Sequence, residues 1–121
     1  MKETIEERTI KSVVWIGTSY EELKAFPDNV QDEMGYALYV AQMGDKHPKA
    51  KPLKGFSGVM EIRSDYATDT YRAVYTTKIG EVIYVLHAFQ KKSKRGISTP
   101  KKEIDLIRRR LHQAQELAKG R

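Results

Sequence analysis

The stretch VMEIRSDYATDTYRAVYTTKIGEVIYVLHAF, residues 59–89, decides the fold. It divides into three runs rich in β-branched and aromatic residues, Val59 to Tyr66, Thr70 to Thr77 and Glu81 to Phe89, separated by Ala-Thr-Asp at 67–69 and Lys-Ile-Gly at 78–80. Turns this short make neighbouring strands antiparallel, because a parallel pair needs a crossover of about a dozen residues or more. Strand alternation then assigns faces. Met60, Ile62 and Ser64 share one face of the first run, and Val59, Glu61, Arg63 and Asp65 share the other; in the second, Tyr71, Ala73 and Tyr75 alternate with Arg72, Val74 and Thr76. Arg63 and Arg72 are charges set into otherwise apolar strands. In the register the short turn allows, both project from the same face.

Working outward, residues 9 to 16, TIKSVVWI, read as a further strand closed by Gly17. A short helix follows, with Thr18 or Ser19 as its cap, Glu21 and Glu22 in its first turn, and Pro27 ending it at Phe26. A longer helix runs from about Asn29 to Met43 with Asp28 as N-cap, and Val30, Met34, Ala37, Leu38 and Ala41 recur on it at three- and four-residue steps. Gly44 stops it. Asp45 to Gly58 reads as an exposed, mobile loop carrying Lys46, His47, Lys49, Lys51 and Lys54. A last helix spans about Pro100 to Ala118, with Thr99 as N-cap, Pro100 at the first helical position, and a stripe of Ile104, Ile107, Leu111, Ala114 and Ala118. The expectation is one α+β domain over residues 1–121, with an antiparallel sheet of about four strands.

The 121 residues are 40% hydrophobic and 31% charged, the balance of a folded domain, and contain no cysteine. That excludes a disulfide framework, thiolate metal sites and a Cys nucleophile. No apolar run approaches the roughly 20 residues of a membrane span, and the N-terminus lacks the apolar stretch of a signal peptide, so a cytoplasmic protein with no membrane association is expected. The formal charge of +6 is unevenly spread. Residues 1–45 carry 4 Lys and Arg against 9 Asp and Glu, and residues 46–121 carry 18 against 7. A basic half of this density suits a polyanion, because each neutralised phosphate releases counterions.

Two basic segments edge the strands that hold Arg63 and Arg72: the loop with Lys51 and Lys54, and the run Lys91, Lys92, Lys94 and Arg95. Arginines flanked by such loops make a plausible phosphate cleft, the alternative being that Arg63 merely pairs with Glu61 or Asp65 on a solvated sheet face. His87, inside the third run, can titrate near neutrality or serve as a hydrogen-bonded structural residue. The histidines at 47, 87 and 112 lack metal-ligand spacing, and neither a nucleophile elbow nor a phosphate loop is present, so no metal or cofactor is expected.

The succession Lys51-Pro-Leu-Lys-Gly55, Val59-Met-Glu-Ile-Arg63, Tyr71-Arg-Ala-Val-Tyr75, Val85-Leu-His-Ala-Phe-Gln-Lys-Lys-Ser-Lys94, then Thr99-Pro100 opening a helix, resembles the phage-derived Gp49-like branch of the RelE/HigB toxins over nearly the whole chain from Thr9 to Ala118. The resemblance implies an antiparallel sheet packed against two N-terminal helices, with a C-terminal helix. It also implies the toxin of a type II toxin-antitoxin system, a metal-independent endoribonuclease acting on mRNA at the ribosome, in which the substrate 2′-hydroxyl attacks the adjacent phosphate. By position, Arg72 matches the strand arginine that clamps the scissile phosphate, Arg63 a second, and Lys54 a loop lysine for phosphate contact or proton transfer. Lys51, Lys91, Lys92, Lys94 and Arg95 would contact RNA. Several relatives place a His or Tyr pair after the last strand. This chain has none there, leaving His87, a lysine and Glu61 as candidates for the general acid. The implied partner is a cognate antitoxin with a helix-turn-helix domain of the HigA type, whose acidic segment would mask the cleft. Two other readings keep the fold: a ParE-like toxin that poisons gyrase, and a non-catalytic RNA-binding phage remnant.

Overall fold

The computed structural model describes residues 10–91 and 99–120. The elements are β1 (Ser12–Trp15), α1 (Ser19–Lys24), α2 (Asp28–Gln42), β2 (Ala50–Pro52), β3 (Val59–Tyr66), β4 (Asp69–Thr76), β5 (Val82–Lys91) and α3 (Lys101–Lys119). They form an α+β fold around one five-stranded sheet of order β1-β5-β4-β3-β2.

β3, β4 and β5 are the antiparallel meander expected from residues 59–89. The first turn is tighter than its sequence suggests, because Asp69 already pairs with Tyr66. Ala67 then takes a φ of 57°, the left-handed conformation that a two-residue hairpin turn demands. The sheet corrects the expectation of about four antiparallel strands in two respects. β1 pairs with β5 in parallel, so the sheet is mixed. Two helices and three strands separate them in sequence, ample chain for the crossover a parallel pair needs. The loop from Asp45 to Gly58 contains the fifth strand, β2, which pairs antiparallel with β3. It buries Ala50 and Leu53 rather than being exposed throughout. Pro52 is tolerated there because β2 is an edge strand.

The sheet is covered on both faces. Val30, Met34, Ala37, Leu38 and Ala41 of α2 pack with Leu23 and Phe26 against Ile62, Tyr71, Ala73, Tyr75, Ile83, Val85 and Ala88. Ile107 and Ala114 of α3 pack on the opposite face against Val59, Val74, Tyr84, Leu86 and Phe89. These are the stripes that the three- and four-residue spacing marks. The helix starts shift by a residue: Pro27 and Pro100 occupy the N-cap positions, in place of Asp28 and Thr99, and neither helix has a side-chain cap hydrogen bond. The first strand is also shorter than residues 9 to 16.

Where β4 meets β5 the register jumps, Val74 pairing with His87 and Tyr75 with Val85, so that Leu86 is the extra residue of a bulge. A bulge re-aims the side chains beside it. Here it places the consecutive Leu86 and His87 both toward α3, Leu86 in the apolar cluster and His87 against Glu103.

Candidate nucleic-acid interface

The ladder β3–β4–β5 sorts the site into rows. Arg63 lies directly opposite Arg72, and Arg72 opposite Phe89. On one side of this arginine row are Lys51, Glu61, Val74 and His87; on the other are Asp65, Thr70 and Lys91. Because opposite residues in a strand pair share a face, the two arginines project from the same side of the sheet. The free end of that face, beyond the part covered by α3, forms a cleft of about 540 Å³ lined by Lys49, Lys51, Pro52, Leu53, Lys54, Glu61, Arg63, Arg72, Thr99 and Ile104.

The two arginines differ in their surroundings. Arg72 is 3% exposed. Its Nη1 donates to Glu61 Oε1 at 2.9 Å and to Thr99 Oγ1 at 3.4 Å, while the Thr99 hydroxyl donates to Glu61 Oε2 at 3.1 Å. Arg63 is exposed, and its Nε lies 3.5 Å from Asp65. A single ion pair in water contributes little, which leaves Arg63 available to a ligand. Lys51 and Lys54 are exposed on the cleft margin, and Lys49 bonds Glu33 at 2.7 Å. Lys91 is close enough to feel the cluster: burial first, then the charges of Arg72 and Arg63, hold its ammonium below the ordinary lysine pKa, with Glu61 opposing. Lys92, Lys94 and Arg95 lie outside the described residues.

His87 is not among the residues that line the cleft. It is 5% exposed beneath α3, stacked on Phe89 at 4.9 Å between ring centroids. Its Nδ1 is 3.0 Å from Glu22 and its Nε2 2.7 Å from Glu103, so each ring nitrogen faces a carboxylate oxygen. Glu22 also accepts from the Ala88 amide and from the Thr18 hydroxyl, and Arg110 spans Glu22, Thr18 and the Leu86 carbonyl. Burial alone would raise the Glu22 pKa. The hydrogen bonds from His87, Ala88, Arg110 and Thr18 outweigh it and bring the carboxyl from 4.5 down to about 2. This network ties α1 and α3 to β5. Among the described residues no group of three His, Cys, Asp or Glu side chains is placed to hold a metal ion.

Gly17 belongs to the same network. Its φ is +58°, and a Cβ there would meet Arg110 Nε at 2.9 Å. Gly17→Ala would cost about 1 kcal/mol of backbone strain and about another in displacing Arg110 from its acceptors. A fall in melting temperature of several degrees in a thermal scan is expected, and an unchanged value would contradict the packing described.

Sequence reasoning missed the Glu22–His87–Glu103–Arg110 network, because its members come from three distant elements and a bulge reverses the alternation around His87. It also missed Thr99 as a cleft residue, treating it as a helix cap. The only available signal was its position just after the basic run.

A mixed five-stranded sheet with helices on both faces is an α+β fold similar to that of a solved RelE toxin. The Escherichia coli toxin RelE, solved as a double arginine-to-alanine mutant in the free state, matches with a TM-score of 0.54 and 12% identity, over 86% of this chain and 97% of that chain. The toxin-antitoxin complex RelBE2 from Mycobacterium tuberculosis matches at 0.49 and 14% identity, over 74% of this chain and 100% of that chain. The family described as phage derived protein Gp49-like matches residues 21–112, and the chain belongs to it. Comparison with the curated proteins gives no match. No described helix is long and apolar enough to cross a membrane.

Proposed function

We propose that this chain is the toxin of a toxin-antitoxin pair and that it cleaves messenger RNA on the ribosome through attack of the substrate 2′-hydroxyl on the adjacent phosphate. The observation that carries this reading is the register of β3 and β4, which sets Arg63 opposite Arg72 on one face, with Lys51, Lys54 and Lys91 around them. Membership of the Gp49-like family and a fold shared with RelE support it.

The chemistry suits these side chains. The RNA supplies its own nucleophile, so the protein must hold the phosphate, stabilise the negative charge added at phosphorus, and move two protons. A guanidinium offers paired donors to two phosphate oxygens, and a second arginine beside it can take the charge that grows in the transition state. Cations of this kind can promote the step without a metal. Lys51, Lys54 and the run Lys91 to Arg95 would hold flanking phosphates. His87, engaged on both nitrogens away from the cleft, is read as a structural residue.

Expression of the wild type is expected to arrest growth and to cut translated messages at defined positions. Arg63→Ala, which removes an exposed side chain, should lower cleavage about 100-fold. Growth arrest with intact messages and failed gyrase supercoiling would instead place the chain with ParE-like toxins. Salt-sensitive RNA binding without product would mark a non-catalytic remnant. For the partner, we propose an antitoxin with a helix-turn-helix domain whose acidic segment covers Lys54, Arg63 and Arg72.

A further inference from the structure

In-line displacement at phosphorus needs a proton acceptor on one side of the phosphate and a proton donor on the other. The sheet supplies such a pair. With a phosphate held at the Arg63–Arg72 row, the neighbouring row on one side carries Glu61 and the neighbouring row on the other carries Lys91. Rows sharing a face are two residues apart along a strand, about 7 Å, so Glu61 on β3 and Lys91 on β5 flank the arginine row from opposite sides. Glu61 is also the one carboxylate among the described residues lining the cleft.

We propose that Glu61 accepts the proton of the attacking 2′-hydroxyl, that Lys91 protonates the departing 5′-oxygen, and that the Thr99 hydroxyl positions Glu61 for this work. This rests on the RNA-cleaving reading above. In the free protein Glu61 is held at both oxygens, Oε1 by Arg72 and Oε2 by Thr99. A phosphate entering the cleft competes with Oε1 for the Arg72 guanidinium, since both are anionic oxygens accepting from the same donors. When Arg72 turns to the phosphate, Oε1 becomes the free acceptor while Thr99 still fixes Oε2. The ion pair thus keeps the base covered until substrate arrives.

The step balances. The 2′-hydroxyl proton passes to Glu61 Oε1, the O2′–P bond forms, the P–O5′ bond breaks, and O5′ takes a proton from the Lys91 ammonium. The products are a 2′,3′-cyclic phosphate and a 5′-hydroxyl end. Water then exchanges protons with Glu61 and Lys91. The lowered pKa of Lys91, due to burial and to the charges of Arg72 and Arg63, makes its ammonium a better acid and agrees with this role. Thr99 lies one residue before the N-cap of α3, so the base is anchored next to the helix that packs over the adjoining part of the same sheet face.

The test is single-turnover cleavage of a ribosome-bound message by the full chain. The message is prepared with either oxygen or sulfur at the 5′-bridging position of the scissile phosphate, because a thiolate departs without a proton. Glu61→Gln should cut at least 100-fold more slowly on both messages, bind RNA within about threefold of wild type, and lose the acid limb of the rate–pH profile. With protein in saturating excess, so that a weakened phosphate contact does not enter the rate, Lys91→Ala should be slow on the oxygen message and return to wild-type rate on the sulfur one. Thr99→Val should lower the rate with little change in binding, and Thr99→Ser should restore it. If Glu61→Gln unfolds, Glu61→Asp serves as the variant, with a reduced rate and a shifted acid limb expected. Wild-type cleavage accompanied by undiminished cleavage in Glu61→Gln, or by no sulfur rescue of Lys91→Ala, would overturn the inference and leave the RNA-cleaving reading standing. A folded wild type that cuts neither message would overturn the reading itself.

Discussion

Alanine at Lys51, Lys54, Arg63 and Lys91 together is expected to leave the fold in place and, under the proposed RNA-cleaving function, to remove most of the RNA affinity. Each of these residues has its backbone in a strand or in the loop beside β2, and none contributes its side chain to either apolar cluster. Melting should therefore change little. Their effect on RNA follows from counterion release: each phosphate contact on a single strand adds about 0.7 to the slope of log affinity against log salt. Losing four should flatten that slope by about 3 and weaken binding by at least 100-fold near 0.15 M salt. Lys24 and Lys119, which lie away from the cleft, provide the control. Their alanine variants should keep both slope and affinity. A salt titration by fluorescence anisotropy reads all of this, and an unchanged slope in the fourfold variant would place the RNA elsewhere.

His87→Ala is expected to be the most damaging single substitution for stability. It removes the donor between Glu22 and Glu103, leaves two carboxylates facing a buried gap beneath α3, and deletes the ring stacked on Phe89. Leaving a buried hydrogen-bonding group without its partner typically costs about 1–3 kcal/mol, so with two carboxylates affected a loss of about 3 kcal/mol is expected, lowering the melting temperature by about 10 °C. The same network sets the acid limb of stability. Glu22 titrates at about 2 in the folded protein and near its ordinary 4.5 when unfolded, so its contribution is complete above about pH 4.5 and is lost as pH falls from there toward 2. Glu22 is partly solvated, and about 2 kcal/mol is a reasonable share after screening. Denaturant titrations between pH 2 and 7 should show Glu22→Gln less stable than wild type at neutrality and converging with it at the acid end. A constant difference across that range would contradict the assigned partners.

The parts of the molecule legible in the sequence are those written in local pattern. β3 coincides with the expected Val59 to Tyr66, and the two short turns force the meander that puts Arg63 across from Arg72. The stripes of α2 and α3 follow from their spacing. What escaped the reading depends on distant chain or on geometry without a residue signature. The parallel pairing of β1 joins segments about 70 residues apart, and β2 is three residues long inside a stretch rich in proline and lysine. The bulge at Leu86 turns His87 toward α3, where Glu22 and Glu103 meet it from two other elements. For the cleft, alternation placed Glu61 on the face of both arginines, but its bond to Arg72 rather than Arg63, and the closure of that pair by Thr99, follow only from the fold.

Under the proposed function, the cleft between β2, β3 and β4 cuts RNA at a phosphate held by Arg63 and Arg72. Primer extension on a translated message, with purified wild type and Arg63→Ala added to the same translation mixture, tests it most directly. Discrete cuts are expected with the wild type and about 100-fold fewer with the variant. Equal cutting by both proteins would contradict it.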